Sequence, residues 1–240
     1  MDADTFSDPQ VQKFMGDHFI TTRVNAEKGE GIQIRKDYSI SGYPTMIFVD
    51  SAGKEIDRIV GYRPPDIFLA KVDSVSRNQG TVPALEAALQ VDPNQTGLWK
   101  RLAAKYEERG DYSSALGVWN TLSDLAGESS DLIDFKSTAL QARIDHSPEP
   151  LVNFIANHPK NPYLKDAYTS ALALYRRMED SSAEGDLYLH YLFYMEQQGL
   201  GSPGLWNGFA WRMTEINQHL DVALERIEQA VAAVSGEEAK

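Results

Sequence analysis

Apolar positions change their period twice in the first part of this chain. Val11, Phe14, Met15 and His18 share one face at helical spacing. Ser7-Asp8-Pro9-Gln10 precedes them, a serine cap three residues before a glutamine with proline in the first turn. Phe6 and Val11 have the spacing of a hydrophobic staple. From Phe19 to Asn25 the period drops to two, with Ile20, Thr22 and Val24 alternating against Phe19, Thr21 and Arg23, which predicts a strand. Gly29 and Gly31 break it, and Ile32, Ile34 and Tyr38 predict a short helix. Thr45-Met46-Ile47-Phe48-Val49 is a continuous apolar run of strand length, the mark of burial on both faces. Asp50-Ser51-Ala52-Gly53 is turn chemistry, so Lys54 to Val60 reads as the returning strand of a hairpin. Pro64-Pro65-Asp66 opens a helix with Phe68, Leu69, Val72 and Val75 in one stripe.

The polar stretch Ser76-Arg77-Asn78-Gln79-Gly80-Thr81 reads as a linker. Beyond it every segment has helical period, over 82–90, 97–109, 112–126, 131–145, 149–157, 162–178, 181–198, 204–217 and 219–235. The breaks are short: Asp92-Pro93-Asn94, Gly110, Gly127, Ser147-Pro148, His158 to Pro162, and Gly199 to Gly204. Helices so closely joined predict antiparallel hairpins.

Composition narrows the function classes. The net charge is −12, from 23 basic and 35 acidic side chains, with no basic run longer than two, so the footprint of a nucleic-acid binder is missing. Cysteine is absent, which removes disulfides, thiolate metal sites and thiol nucleophiles from this chain. There is no apolar run long enough for a membrane span, and Met1 to Phe6 lack the basic and apolar segments of a signal peptide.

The most informative short motif is Ile40-Ser41-Gly42-Tyr43-Pro44-Thr45, directly before the apolar strand. Proline cannot donate to a ladder, so here it shapes the entry turn, and an aromatic–proline bond tolerates cis well. With the hairpin and helix that follow, residues 1–75 resemble the thioredoxin superfamily. Phe6-Ser7-Asp8 and Asn25 to Gly31 look like its bacterial disulfide-interchange branch. That resemblance implies a cis-proline loop of Gly42, Tyr43, Pro44 and Thr45 facing the substrate chain. The reading in which Pro44 only shapes the turn stays open.

The departure from that family matters as much. In such relatives a strand and a Cys-x-x-Cys helix come first, and this chain begins where they end. The absent strand would lie between the Phe19–Asn25 and Thr45–Val49 strands, leaving unpaired groups that cost roughly 1–3 kcal/mol each if buried. Three explanations are open: a native chain extending upstream, a gap filled by a strand-donating partner or a swapped dimer, or a reduced sheet serving as an attachment. Only the first restores redox chemistry, and only it leaves room for an export signal and a periplasmic or other extracytoplasmic location.

Trp99 is followed by Leu102, Ala103, Tyr106, Gly110, Ala115 and Trp119 at offsets that match the tetratricopeptide signature. Small Ala103 and Ala115 let paired helices approach, the large aromatics fill the space between, and Gly110-Asp111 makes the turn. Asn207 to Met213, followed by Ala223, Leu224, Ile227 and Ala230, looks like a closing pair of the same kind. Arrays of this type usually bind peptides or protein partners in a groove; a stack that only packs on its own domain is the alternative.

Other signals carry less. The five histidines lack ligand spacing, so no metal or cofactor is expected. Gly29-Glu30-Gly31 lacks the rest of a dinucleotide fingerprint, and Tyr188, Tyr191 and Tyr194 read as helix-contact residues. Glu107-Glu108 and Glu237-Glu238 read as solvated faces. The sequence therefore predicts an incomplete α/β thioredoxin-like segment over 1–76 and an all-α tetratricopeptide-like array over 81–236. The expected function is protein or peptide binding by a redox-inactive relative of thiol–disulfide interchange proteins, with no catalytic residue of its own. The rival is a non-enzymatic adaptor with a purely structural sheet.

Overall fold

The computed structural model describes residue 1, residues 3–126 and residues 130–237. Gly127, one of the breakers above, and Glu238 lie outside the described residues. The chain divides into two compact units, Met1–Glu128 and Ser129–Lys240.

In the first unit, α1 (Pro9–His18) and α2 (Gly31–Asp37) precede a hairpin of β1 (Thr45–Val49) and β2 (Glu55–Val60). Then come α3 (Pro65–Ser76), α4 (Val82–Val91), α5 (Thr96–Arg109) and α6 (Tyr112–Ala126). The cap of α1 is Asp8 rather than Ser7: its carboxylate accepts from the N–H groups of Gln10 at 2.8 Å and Val11 at 3.1 Å. A charged acceptor at the positive end of a helix outcompetes a hydroxyl, and Ser7 instead donates to the Asp4 carbonyl at 3.0 Å.

The expected strand over Phe19–Asn25 does not form. Residues 20–25 run exposed and outside any ladder, and the sheet among the described residues is the β1–β2 pair alone. Alternation supplies only the side-chain half of a strand; the ladder needs a neighbour, and β1 has none on its outer edge among the described residues. The turn into α2 is tight nonetheless. A Cβ on Gly31 would sit 2.0 Å from the Asn25 carbonyl oxygen, so only glycine fits there.

β1 and β2 pair antiparallel from Thr45 opposite Val60 to Phe48 opposite Asp57, with a bulge at Phe48/Val49. The core beside them is small: Val11, Phe48, Ile59, Phe68 and Val72 are buried, while Phe6, Phe14, Met15, Phe19 and Met46 are only half covered. Phe68 and Val72 share the inner face of α3, and the Phe6 ring meets Phe68 edge-on at 5.8 Å. Between α3 and α4 the chain turns through Asn78 and Gly80 at positive φ. Thr81, fully buried, caps α4 by accepting from Ala84 N–H at 3.4 Å and also hydrogen-bonds Asn78.

The second unit is helical throughout its described residues: α7 (Asp131–Ile144), α8 (Glu149–Asn157), α9 (Leu164–Met178), α10 (Ser181–Gln197), α11 (Pro203–Ile216) and α12 (Leu220–Glu237). Successive helices pack as hairpins, as the short breaks predict. Phe135, Leu151, Phe154, Ala167, Ala171 and Tyr191 belong to one core joining α7 to α10. Leu192, Phe209, Ala210, Met213 and Ala223 form a second that joins α10 to α12. The tyrosines of α10 are contact residues, as their spacing predicts. Tyr191 lies 5.4 Å from the Tyr168 ring, and Tyr188 meets Phe209 edge-on at 5.3 Å.

Candidate functional site

The loop before β1 is built by short-range bonds. Thr45 donates its hydroxyl proton to the Gly42 carbonyl at 2.8 Å, and Gly61 N–H donates to the Pro44 carbonyl at 2.8 Å. The Tyr43–Pro44 peptide bond is cis. Gly42, Pro44 and Thr45 are half-buried, while Tyr43 is 53% exposed, with the Arg35 guanidinium 5.9 Å from its ring centroid. The loop thus presents one aromatic ring and a cation on a fixed backbone.

The seven spaced residues along α5, its cap and α6 take three different roles. Leu102, Ala103, Ala115 and Trp119 are buried, the alanines completely, which lets the two helices close on each other. Gly110 ends α5 with φ +71°, a left-handed position that glycine takes without strain. Trp99 and Tyr106 are only partly covered, because they line an open cleft of about 410 Å³ between α4, α5 and α6. Glu86, Leu102, Gly117 and Val118 are among its other wall residues. Tyr106 donates to the Glu86 carboxylate at 2.5 Å, and burial together with that bond pushes its phenol up to about 12. The Trp99 indole donates to the Pro93 carbonyl at 2.7 Å. The pattern predicts aromatics filling the space between helices; here Trp119 does so, whereas Trp99 and Tyr106 edge a cleft that can admit a side chain.

The arrangement that sequence reasoning missed is a set of charges between β2 and α5. Asp57, 4% exposed, takes Lys105 Nζ on both carboxylate oxygens at 2.5 and 2.7 Å. Arg58, also buried, grips Glu55 with two bonds of 2.7 Å and donates to the carbonyls of Tyr38 and Glu108 at 2.7 and 3.1 Å. Arg109 reaches the carbonyls of Glu55 and Ile56 at 3.1 and 2.7 Å. Its Nε lies 3.2 Å from the Glu55 carboxylate, an ion pair without hydrogen-bond alignment. A signal was there: Glu55, Asp57 and Arg58 interrupt an apolar strand, and Arg101, Lys105 and Arg109 recur every four residues on one helix.

Among the described residues no group of three or more histidine, aspartate or glutamate side chains is placed to hold a metal ion. No helix among them is long and apolar enough to cross a membrane.

Residues 1–76 match the thioredoxin-like domain family. Within that stretch the chain is similar to the thiol:disulfide interchange protein DsbD of Escherichia coli strain K12, 35% identical over 69 residues, 28% of this chain and 12% of DsbD. It is 41% identical over 61 residues to the DsbD of Photorhabdus laumondii, 24% of this chain and 11% of that protein. The similarity therefore covers about an eighth of the length of these curated relatives. Among solved structures, the crystal structure of MamA aligns with 75% of this chain and 100% of its own, at 16% identity and a TM-score of 0.46. The chain is thus a thioredoxin-like region with DsbD homology followed by a helical array.

Proposed function

We propose that this chain is a protein- or peptide-binding relative of the thiol–disulfide interchange proteins that carries no dithiol chemistry of its own. One observation supports this above the others: a thioredoxin-like segment with an exposed Tyr43 beside Pro44, in a chain with no cysteine. Dithiol–disulfide exchange needs a thiolate to attack sulfur, and no side chain here supplies one. What is left of the loop is recognition. Tyr43 offers a flat apolar face with a polar tip, Arg35 a cation, and the neighbouring backbone is fixed. The tetratricopeptide-type signature on α5 and α6, with its cleft at Trp99 and Tyr106, adds a second surface of the same kind.

Two measurements test this reading. In an insulin-reduction assay with dithiothreitol as electron source, the pure chain is expected to leave the uncatalysed rate unchanged; acceleration would sink the inactivity. In a pull-down with unfolded, S-alkylated ribonuclease A as the client, Tyr43→Ala is expected to weaken retention about tenfold. Equal retention by the variant removes the loop from the binding surface.

A second reading is favoured by a different observation, the charges pinning β2 to α5. Asp57 and Lys105, with Arg58 and Arg109, fasten the hairpin to α5. On that reading the chain is an adaptor whose sheet is purely structural. Tyr43→Ala would then change nothing, while changes in the cleft at Glu86 or Trp99 would remove binding.

A further inference from the structure

The last described helix has an apolar face that its own unit covers only in part, at Ile227. Leu220, Leu224, Val231 and Val234 on α12 are 47, 60, 60 and 49% exposed, and Ile227 between them is half covered. Single exposed apolar side chains are ordinary, but these five are contiguous. Their spacing runs four, three, four, three, the seam of a coiled coil, and at 100° per residue they occupy an arc of about 80°. The inward face of α12 is a different one. Ala223, Arg226 and Ala230 are the buried positions, with Arg226 donating to Glu196 of α10 at 2.8 Å. In an array of stacked helices a face left uncovered is normally polar, so an apolar seam there calls for a further helix.

We propose that this seam is a docking face for a separate amphipathic helix with basic flanks. The charge pattern selects that occupant. One side of the seam is closed, since Ala223 and Ala230 pack into the unit. A docking helix therefore approaches over the other side, where Asp221 and Glu228 stand exposed one heptad apart. Those carboxylates favour lysine or arginine at the facing positions of the incoming helix. A second copy of this chain would bring its own Asp221 and Glu228 against them, and each copy carries a net charge of −12. An anionic lipid surface is repelled by the same groups.

The surface lies in the second compact unit and shares no residue with the Tyr43–Pro44 loop or the cleft, so its test is independent of the function proposed above. Two designed three-heptad peptides serve as probes, both with leucine and isoleucine seams, one with lysine flanks and its twin with glutamate flanks. Fluorescence anisotropy against the full chain should show the lysine peptide binding at least tenfold more tightly than the twin. In the double variant Asp221→Lys and Glu228→Lys the preference should invert. In Leu224→Asn with Val231→Asn both peptides should lose binding, while thermal melts confirm that these exposed changes leave the fold intact. Three results would overturn the proposal: neither peptide binds, the preference survives the charge reversal, or the chain sediments as a dimer that Leu224→Asn dissociates. The last would make a second copy the occupant.

Discussion

The thioredoxin-like region and the helical second unit bury their apolar side chains to different degrees. Around β1 and β2 five apolar side chains are buried, while Ile20, Val24, Ile32, Tyr43, Val49, Tyr62 and Ile67 stand exposed nearby in sequence. The second unit carries two cores, with Leu151, Leu192, Phe209 and Met213 fully enclosed. The contrast follows from backbone hydrogen bonding. A helix closes its own bonds and needs cover on one face only, so a hairpin of helices is already half a core. A strand must borrow both its bonds and its cover from neighbours, and a two-stranded sheet offers few of either.

The largest expected effect sharpens that contrast. Phe209→Ala should cost about 4–5 kcal/mol, because Leu192, Ala210, Met213 and Tyr188 leave no room for the site to collapse. Phe68→Ala should cost nearer to about 3 kcal/mol, since half-covered Phe6 and Leu69 can shift into the space or let water in. Denaturant unfolding of both variants checks the order. Equal losses would mean that the small core is as tightly packed as the large one.

Charge burial comes next. Glu184 on α10 is 1% exposed and holds Arg176 of α9 at 2.5 Å and Arg212 of α11 at 2.8 and 2.7 Å, tying three helices together. Burial alone would raise its carboxyl pKa; the bonds from Arg212 and Arg176 outweigh it and hold the group below the usual carboxylate range. The unfolded chain therefore binds more protons than the native one in this range, and stability rises with pH. The contribution is whole above the ordinary glutamate value and fades as pH falls through it towards the depressed native one. Glu184→Gln should cost about 2 kcal/mol at pH 7, less than a fully buried pair because both arginines stay partly hydrated. It should also flatten the acid limb of the stability curve measured between about pH 5 and pH 3. An unchanged limb would assign acid sensitivity to other carboxylates.

What can be read from the sequence divides along the same physical line. Helix positions are legible because the period, the caps and the breakers are local: α5, α6 and α8 lie where Trp99, Gly110 and Pro148 put them. The β1–β2 hairpin is legible from Asp50 to Gly53, where the Asp50 carboxylate accepts from Ala52 and Lys54 N–H at 2.9 Å each. The segment over Phe19–Asn25 misleads because alternation is a property of a strand's side chains, not of its partners. The loop at Tyr43–Pro44 can be located, but its exposure cannot. The pairing of Asp57 with Lys105 is hidden for a similar reason, as an ion pair across 48 positions leaves no periodic trace.

That pairing gives the next test of the contrast, because it measures how firmly the sheet is held by helices. Asp57→Asn should cost about 1–2 kcal/mol, since Asp57 is buried while Lys105 is a quarter exposed and can rehydrate. A double-mutant cycle with Lys105→Met should return a coupling of about 1 kcal/mol. No coupling would mean that the small sheet is held by its apolar core alone.

The smallest expected effect is the sharpest probe of the uncovered strand-like segment. Ile20 is fully exposed, although it sits at an alternating position where a completed sheet would cover it. In the isolated chain Ile20→Thr should shift unfolding by less than about 0.5 kcal/mol, because the side chain packs against nothing and threonine suits an extended backbone. A loss above about 1 kcal/mol would show that Ile20 is covered in solution, and cover at that position means a neighbour beside residues 19–25. If that loss also deepens with protein concentration, the neighbour is a second copy, because only an intermolecular contact obeys mass action. A concentration-independent loss would instead place the cover within the chain itself.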